Sequence, residues 1–330
     1  MGEGRTRGGD ALNKDAGGAE DASLDDARDA LSEVDGQSAE AQRVIMRMTA
    51  FGLAAVLVVG VASNASAQLT AAKDGPIVYG HHHVNVTSVD EHRKFWTTIG
   101  GTAIKIGVDN DREIVRFPNV LVFMTARPPK GGTKGTSVNH VGFSVPNLRQ
   151  AVDKVKAAGY PMITRAELPE SQPVKDDLAY IENQKTSVAF VMGPDETKVE
   201  LVENKAATAP AAMHHIHFAT QQVDDMKAWY VKVFGAKPGM RGSFQAADLP
   251  GVNLTYSPSP EAVIGTQGRS MDHIGFEVKG LEAFCKKLEG MGIKLERPYS
   301  QVAALGISIA FIRDPWGTYI ELTEGLDKVQ

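Results

Sequence analysis

The chain has 330 residues, of which 42% are hydrophobic and 23% are charged, and its formal net charge is −5. This composition is typical of a globular protein with room for two domains and a hydrophobic core. The charge is uneven: residues 1–45 contain 11 acidic and 5 basic side chains, whereas the chain after Ala67 contains 29 of each. A balanced body without a basic tract argues against nucleic acid or an anionic membrane as the main partner.

The N-terminal region changes character twice. Residues 1–45 are rich in Gly, Ala, Asp and Glu and are predicted to be disordered, because they bury little apolar surface. Ala50 to Ala62 is then a run of 13 small and apolar residues. A helix of that length spans about 20 Å, short of the roughly 30 Å hydrocarbon core of a membrane. Residues 46–67 are therefore predicted to be a signal peptide cleaved after Ala67, with a retained N-terminal anchor as the alternative.

A signal peptide at this position has two consequences. Export signals lie at the extreme N-terminus, so Met46 or Met48 is a candidate start and residues 1–45 need not be translated. The mature protein is expected to be exported, periplasmic or secreted, without stable membrane insertion. Cys285 is the only cysteine, so no internal disulfide is possible, and its position on the apolar face of a helix indicates a core residue.

A four-residue pattern occurs four times after the signal segment. It is a histidine followed by an apolar, a small or polar, and a second apolar residue, and the copies begin at His83, His140, His215 and His273. Side chains alternate across a strand, so each leading histidine points to one face and the two apolar residues point to the other. The copies are 57, 75 and 58 residues apart, which predicts a duplicated pair of modules.

Each module repeats the order strand, helix and then three strands. Apolar spacing and closing glycines predict helices at Val89–Ile99, Leu148–Ala158, Val223–Phe234 and Leu281–Met291. Alternation predicts strands at Thr102–Val108, Arg112–Phe117 and Val120–Met124, and near Ser243–Ala247 and Val252–Ser257. Residues 204–213 are rich in alanine and are predicted to be a linker. The expected domains are therefore residues 78–203, with modules 1 and 2, and residues 214–325, with modules 3 and 4.

The last strand of each half places one glutamate opposite the aliphatic residues, Glu200 in one half and Glu321 in the other. Two imidazoles and a carboxylate suit a divalent first-row metal and leave positions for water, oxygen or a bidentate substrate. The predicted metal site is His215, His273 and Glu321, and the second candidate site is His83, His140 and Glu200.

Two features of the first half leave its candidate site open. Lys198 shares a strand face with Glu200, and its ammonium could pair with that carboxylate and compete with a cation. His81 and His82 precede the first candidate ligand, His83, and are either substitutes for it or solvated residues.

The segment from Asp314 to Leu322, with the sequence Asp-Pro-Trp-Gly-Thr-Tyr-Ile-Glu-Leu, resembles the vicinal oxygen chelate superfamily of glyoxalases, bleomycin-resistance proteins and extradiol dioxygenases. His273-Ile274-Gly275-Phe276, Trp229-Tyr230 and Phe234-Gly235 support the resemblance, which covers roughly residues 78–325. It implies an α+β fold in which four βαβββ modules form two tandem half-barrel domains that bind metal on their concave sides. Carried over position by position, the metal ligands of the family fall on His215, His273 and Glu321, with His83, His140 and Glu200 matching in the other half.

The resemblance does not match either of two known chemistries in full. Extradiol dioxygenases are expected to carry a further histidine and a tyrosine before the last Asp-Pro, but Phe311 takes the place of the tyrosine, and none of the 9 histidines follows His273. Glyoxalase I has a fourth ligand, a glutamate, which Val252–Tyr256 does not supply. Ring cleavage and the glyoxalase I reaction are both less supported for this reason.

The leading hypothesis is a metal-dependent enzyme whose small substrate chelates the ion through two neighbouring oxygens, with Lewis-acid chemistry of the lyase or isomerase type. The metal is expected to be Fe, Mn, Ni, Co or Zn. The alternatives are an Fe(II) dioxygenase and a metal-free binding or sequestering protein. His217, Tyr319 and Tyr256 are candidate substrate contacts or proton carriers. The chain is expected to be a monomer or a homodimer.

Overall fold

The computed structural model describes residues 77–329. The predicted disordered segment, 1–45, and the predicted signal peptide, 46–67, lie outside the described residues. In the described part, no helix is long and apolar enough to span a bilayer.

Four modules follow one another, each with one strand, one main helix and three further strands. Module 1 contains β1 (Ile77–Val86), α1 (Val89–Thr98), β2 (Thr102–Ile106), β3 (Arg112–Phe117) and β4 (Val120–Ala126). Module 2 contains β5 (Val138–Val145), α2 (Leu148–Ala157), the short α3 (Thr164–Glu167), β6 (Ala179–Ile181), β7 (Thr186–Met192) and β8 (Lys198–Glu203). Module 3 contains β9 (Ala212–Thr220), α4 (Val223–Phe234), β10 (Lys237–Arg241), β11 (Phe244–Leu249) and β12 (Val252–Pro258). Module 4 contains β13 (Met271–Val278), α5 (Leu281–Gly290), β14 (Leu295–Val302), β15 (Ile307–Arg313) and β16 (Tyr319–Glu324).

Local sequence explains where the helices begin and end. The Ser88 hydroxyl accepts a hydrogen bond from the Glu91 backbone N–H and caps α1, and the Asn147 side chain caps α2 in the same way. Gly235 ends α4 in the left-handed conformation, with φ of 70°, which glycine adopts without steric cost. The predicted helices are confirmed to within one residue at their ends.

The modules assemble into two eight-stranded sheets. The first sheet has the order β14-β15-β16-β13-β1-β4-β3-β2 and joins modules 4 and 1. The second sheet has the order β10-β11-β12-β9-β5-β8-β7-β6 and joins modules 3 and 2. At the centre of each sheet two histidine strands run antiparallel, β1 with β13 and β5 with β9. The α+β class and the two curled sheets are as the resemblance implies.

The predicted pairing of neighbouring modules is wrong. Modules 1 and 2 do not form one sheet, and neither do modules 3 and 4, because each sheet takes one module from each half of the sequence. The free edge of a histidine strand is chemically similar in all four modules, so the hydrophobic pattern sets which face is buried but not which strand becomes the partner.

The apolar residues of the repeated pattern all face a shared core. The second and fourth residues of each pattern are completely buried in one cluster that also takes side chains from the four main helices: Val84, Val86, Val141, Phe143, Ile216, Phe218, Ile274 and Phe276. The opposite face of the first sheet carries a smaller apolar cluster that includes Phe311 and Tyr319. The predicted alternation of the histidine strands is therefore confirmed, and it leaves imidazoles on the face away from the core.

Candidate metal centre

One group of potential ligands lies on the first sheet. We call His81, His273 and Glu321 the first cluster; one ligand atom from each lies within 4.8 Å of the others. His81 comes from β1, His273 from the neighbouring β13, and Glu321 from β16 on the other side of β13. The Nε2 atoms of His81 and His273 each lie 2.9 Å from Oε2 of Glu321. Three donors thus converge on one point.

Hydrogen bonds to Asp272, a residue outside the cluster, fix the orientation of His273. Its Nδ1 donates to Oδ1 of Asp272 at 2.7 Å, while Oδ2 of Asp272 accepts from the Asn85 side chain and the Gly268 backbone. Burial lowers the pKa of His273, but the hydrogen bonds to Asp272 and Glu321 outweigh it and raise that pKa to about 9. Such a carboxylate behind a ligating imidazole holds the ring in place and strengthens it as a ligand.

The Glu321 carboxylate is ionised in this environment. Burial alone would raise its pKa, but the neighbouring His81 and the hydrogen bonds from both histidines hold the pKa of Glu321 well below its usual range. One largely buried carboxylate and two imidazoles form a donor set that suits a divalent first-row ion, so His81, His273 and Glu321 fit the metal that the resemblance implies.

The first cluster opens into a cavity of about 700 Å³. This volume lies within the range of roughly 300–1,000 Å³ that is usual for small-molecule sites. Apolar side chains line part of the wall, among them Val302, Leu305 and Ile307, and the Tyr319 phenol lies beside His273 with ring centroids 5.7 Å apart. Burial raises the pKa of Tyr319, so its hydroxyl keeps its proton at neutral pH.

Basic side chains surround the same cavity. Arg112, Arg127, Lys130 and Arg297 line it, and none of the four forms a salt bridge within the part of the chain that the structure describes. The guanidinium of Arg297 lies 4.9 Å above the Phe311 ring. The only carboxylates in the described lining, those of Asp272 and Glu321, are both hydrogen-bonded to His273.

A second group lies on the second sheet. We call His140, Glu200, His215 and His217 the second cluster; one ligand atom from each lies within 4.8 Å of the others. The Nε2 atoms of His140 and His215 each lie 3.0 Å from Oε2 of Glu200, and the other carboxylate oxygen accepts a hydrogen bond from Arg241 at 3.2 Å. Burial lowers the pKa of all three histidines, so they are neutral.

Parts of the sequence are similar to known proteins. Residues 212–322 match the family model of the Glyoxalase/Bleomycin resistance protein/Dioxygenase superfamily. Glyoxylase I 4 of Arabidopsis thaliana is 28% identical over 120 residues, which are 34% of this chain and 69% of that protein. Residues 212–322 are thus similar in sequence to domains of this superfamily. The resemblance to vicinal oxygen chelate proteins is therefore confirmed.

Solved structures share the fold over most of the described chain. Glyoxalase I from Zea mays matches with a TM-score of 0.56 and 17% identity, covering 76% of this chain and 94% of that one. A putative dioxygenase from Bacillus subtilis matches with a TM-score of 0.53 and 13% identity, covering 75% and 84%. At this level of identity the likeness establishes the vicinal oxygen chelate fold.

The predicted ligand sets are regrouped in the structure. His215 does not join His273 and Glu321 but lies on the other sheet with Glu200, so the predicted set of His215, His273 and Glu321 is wrong as a set. The cause is the exchanged pairing of the modules, which brings β9 beside β5 and β1 beside β13.

The second candidate set, His83, His140 and Glu200, is split for the same reason. His83 lies on the first sheet, where it hydrogen-bonds to Thr125 and packs on His273 with ring centroids 4.7 Å apart, and His81 is the residue that joins the cluster. A slip of two residues keeps the same strand face, so alternation could not distinguish His81 from His83. His82 is not solvated but completely buried on the core side.

Four further predictions have separate outcomes. Tyr319 lines the cavity of the first cluster, as a candidate proton carrier should. His217 is part of the second cluster, where its Nε2 lies 2.9 Å from the Ser257 hydroxyl. Tyr256 lies in the shared core, stacked on Phe218, and so cannot serve either cluster. Lys198 pairs with Glu167 rather than with Glu200.

Sequence reasoning missed Asp272, Arg241 and Arg297. Asp272 could have been found, because it directly precedes a candidate ligand, as Asn139 precedes His140. Arg241 was hidden because its strand, β10, contains Pro238 and Gly239, which disfavour strands in sequence-based prediction.

Proposed function

We propose that the chain is a metal-dependent enzyme of the vicinal oxygen chelate superfamily whose active centre is the first cluster. The observation that carries the proposal is that two imidazoles and one carboxylate converge on a single point beside a cavity large enough for a small molecule. A divalent ion held by His81, His273 and Glu321 would supply Lewis acidity toward two neighbouring oxygens of a substrate.

The surrounding residues have defined roles in this proposal. Asp272 holds the His273 ring so that its Nε2 faces Glu321. The Tyr319 hydroxyl, protonated and lining the cavity, donates a hydrogen bond to negative charge that develops on the substrate. The apolar wall near Leu305 offers a contact surface for an apolar portion of the substrate.

The substrate is proposed to be an anion. The cavity carries four basic side chains that have no salt-bridge partner within residues 77–329, and its two carboxylates are engaged with His273. Such an excess of positive charge attracts a carboxylate or phosphate group and binds it by charge-assisted hydrogen bonds. The substrate class is therefore a small anion with two adjacent carbonyl or hydroxyl oxygens and an apolar portion.

Metal analysis of the untagged protein, together with assays on small carboxylates and phosphates that carry adjacent oxygens, tests the proposal. We expect a bound divalent ion in the wild type, and we expect Glu321→Gln to lose both the ion and turnover. Turnover in the absence of oxygen would agree with Lewis-acid chemistry, whereas bound iron with substrate-dependent oxygen uptake would point to an oxygenase. Wild-type protein without any ion would contradict metal dependence and favour a binding or sequestering protein.

A further inference from the structure

The two clusters occupy equivalent positions in the two sheets. His81 lies opposite Gly275 and beside Leu121, and His215 lies opposite Gly142 and beside Asn253. Glu321 lies opposite Phe311 on the neighbouring strand, and Glu200 lies opposite Phe190. The same strand positions therefore supply three ligand atoms twice. The second cluster also includes His217, which lies opposite His140 as His83 lies opposite His273. Two further differences lie in the residues around the clusters.

The first difference lies at the end of one edge pair of strands, β2 with β3 in the first sheet and β10 with β11 in the second. In module 1 this pair closes with Ile106 opposite Arg112, and in module 3 it closes with Arg241 opposite Phe244. Arg241 thus takes the position that Ile106, an apolar and buried residue, occupies in the first sheet. Its side chain is only 9% exposed, and it donates a hydrogen bond to Oε1 of Glu200.

The second difference is the residue that contacts Nδ1 of the histidine on β13 in the first cluster and on β5 in the second cluster. Nδ1 of His273 lies 2.7 Å from an Asp272 carboxylate oxygen, whereas Nδ1 of His140 lies 2.8 Å from the side-chain oxygen of Asn139. The interaction has the same geometry in both clusters, but the first has a carboxylate and the second a neutral amide. A carboxylate makes the imidazole a stronger ligand than an amide does.

Both differences make the second cluster bind a cation less tightly than the first cluster. The first cluster combines Glu321 with the second carboxylate of Asp272, while the second cluster combines Glu200 with a buried guanidinium. A dication in the second cluster would lie next to the positive charge of Arg241, whose side chain is only 9% exposed, so water would screen the repulsion weakly. His140, Glu200 and His215 are all buried, and the cavity that Arg241 lines together with His214 includes none of the three.

We propose that the second cluster takes no metal ion, because Arg241 replaces the ion as the cationic partner of Glu200. The cluster then serves as a buried joint that ties β5 and β8 of module 2 to β9 and β10 of module 3. The inference rests on the proposed function only for the contrast with the first cluster, so the two can fail separately.

The test is to count metal ions per chain with Co²⁺, whose visible absorption also reports ligation. Metal-free protein is titrated with Co²⁺ and bound metal is measured after dialysis. We expect one ion in the wild type, one in Glu200→Gln and none in Glu321→Gln. Two ions in the wild type, one of them lost in Glu200→Gln, would overturn the inference. No ion in the wild type would instead contradict the proposed function.

A gain of binding gives the stricter test. The double variant Asn139→Asp with Arg241→Ile introduces the residue types of the first cluster into the second. It should bind a second Co²⁺ ion, and Glu200→Gln in that background should remove it. A folded double variant, judged by circular dichroism, that gains no second ion would overturn the inference.

The reciprocal change keeps the inference testable if the double variant does not fold. Asp272→Asn gives the first cluster the amide that stands behind His140. The affinity for Co²⁺ should fall by about 10- to 100-fold, the usual effect of removing an outer carboxylate from a ligating histidine. An unchanged affinity would show that this difference does not set the metal preference and would count against the inference.

Discussion

Glycine in the third position of the histidine pattern gives a direct way to perturb each cluster. Gly275 lies opposite His81, and a Cβ at this position would lie 1.9 Å from Cε1 of the His81 ring. Gly142 lies opposite His215, and a Cβ there would meet Cε1 of that ring at the same 1.9 Å. Each glycine therefore makes room for the imidazole of the neighbouring strand, and alanine at either position must displace a ring.

The size of the displacement follows from the contact distance. Carbon atoms in contact lie about 3.5–4.0 Å apart, so the His81 ring must move by roughly 1.5 Å or more in Gly275→Ala. Metal–ligand bonds tolerate deviations of only about 0.2 Å, so the ring would no longer ligate. The overpacked site should also lower the free energy of unfolding by about 1–3 kcal/mol.

Gly142→Ala is the matched control, because it introduces the same clash in the second cluster. Both variants should lose a similar free energy of unfolding in urea denaturation of the metal-free proteins. Only Gly275→Ala should lose bound metal and turnover, as measured by metal analysis and activity assay. Full metal content in Gly275→Ala, or an equal loss of metal in Gly142→Ala, would refute the assignment of the active centre to the first cluster.

Three further predictions concern a buried carboxylate, the charge of the cavity and the N-terminus. Burial raises the pKa of Asp314, which accepts a hydrogen bond from Tyr230, from 3.8 to about 6. The folded protein takes up a proton there as the pH falls, so the stability of the wild type relative to Asp314→Asn should rise by up to about 3 kcal/mol between about pH 7 and pH 4. Urea denaturation of both metal-free proteins measures the difference, and a difference that is independent of pH would contradict it. Arg297→Gln should raise KM for an anionic substrate by about 10- to 100-fold with less effect on kcat, whereas an equal effect on a neutral analogue would argue against charge recognition. If residues 46–67 are a signal peptide, N-terminal sequencing of the native protein should find Gln68 as the first residue, and a mature chain that starts well before it would exclude cleavage after Ala67.

Much of the fold could be predicted because the local signals agree with one another. Alternation in the four histidine strands predicted which side chains enter the core, and all eight apolar positions are completely buried. Glycines and turn residues predicted the helix ends. For example, α4 ends at Gly235 in the left-handed conformation, which few other residue types adopt. The ligand residue types followed from the repeat, which supplied His140, His215 and His273, and from the last strands of modules 2 and 4, which supplied Glu200 and Glu321. In module 1 the ligand is His81, two residues before the repeat histidine.

The grouping of those ligands could not be predicted, because it depends on contacts between distant parts of the chain. His81 and Glu321 are 240 residues apart in sequence, and their meeting requires β1 to pair with β13 instead of β5. The hydrophobic pattern is satisfied by either pairing. The strand that carries Arg241 could not be recognised from local preference, because its pairing with β11 determines its conformation despite Pro238 and Gly239.

Because of the exchanged pairing, each cluster takes residues from both sides of the linker near residue 208. His81 belongs to the half before the linker, and His273 and Glu321 belong to the half after it, so neither half contains a complete first cluster. The second cluster is divided in the same way, with Glu200 before the linker and His215 after it. Each cluster therefore joins the two halves as well as forming a potential site. The second cluster keeps this joining role with the charged Arg241 at the position that the apolar Ile106 holds in the first sheet. The first cluster combines the joining role with an open cavity.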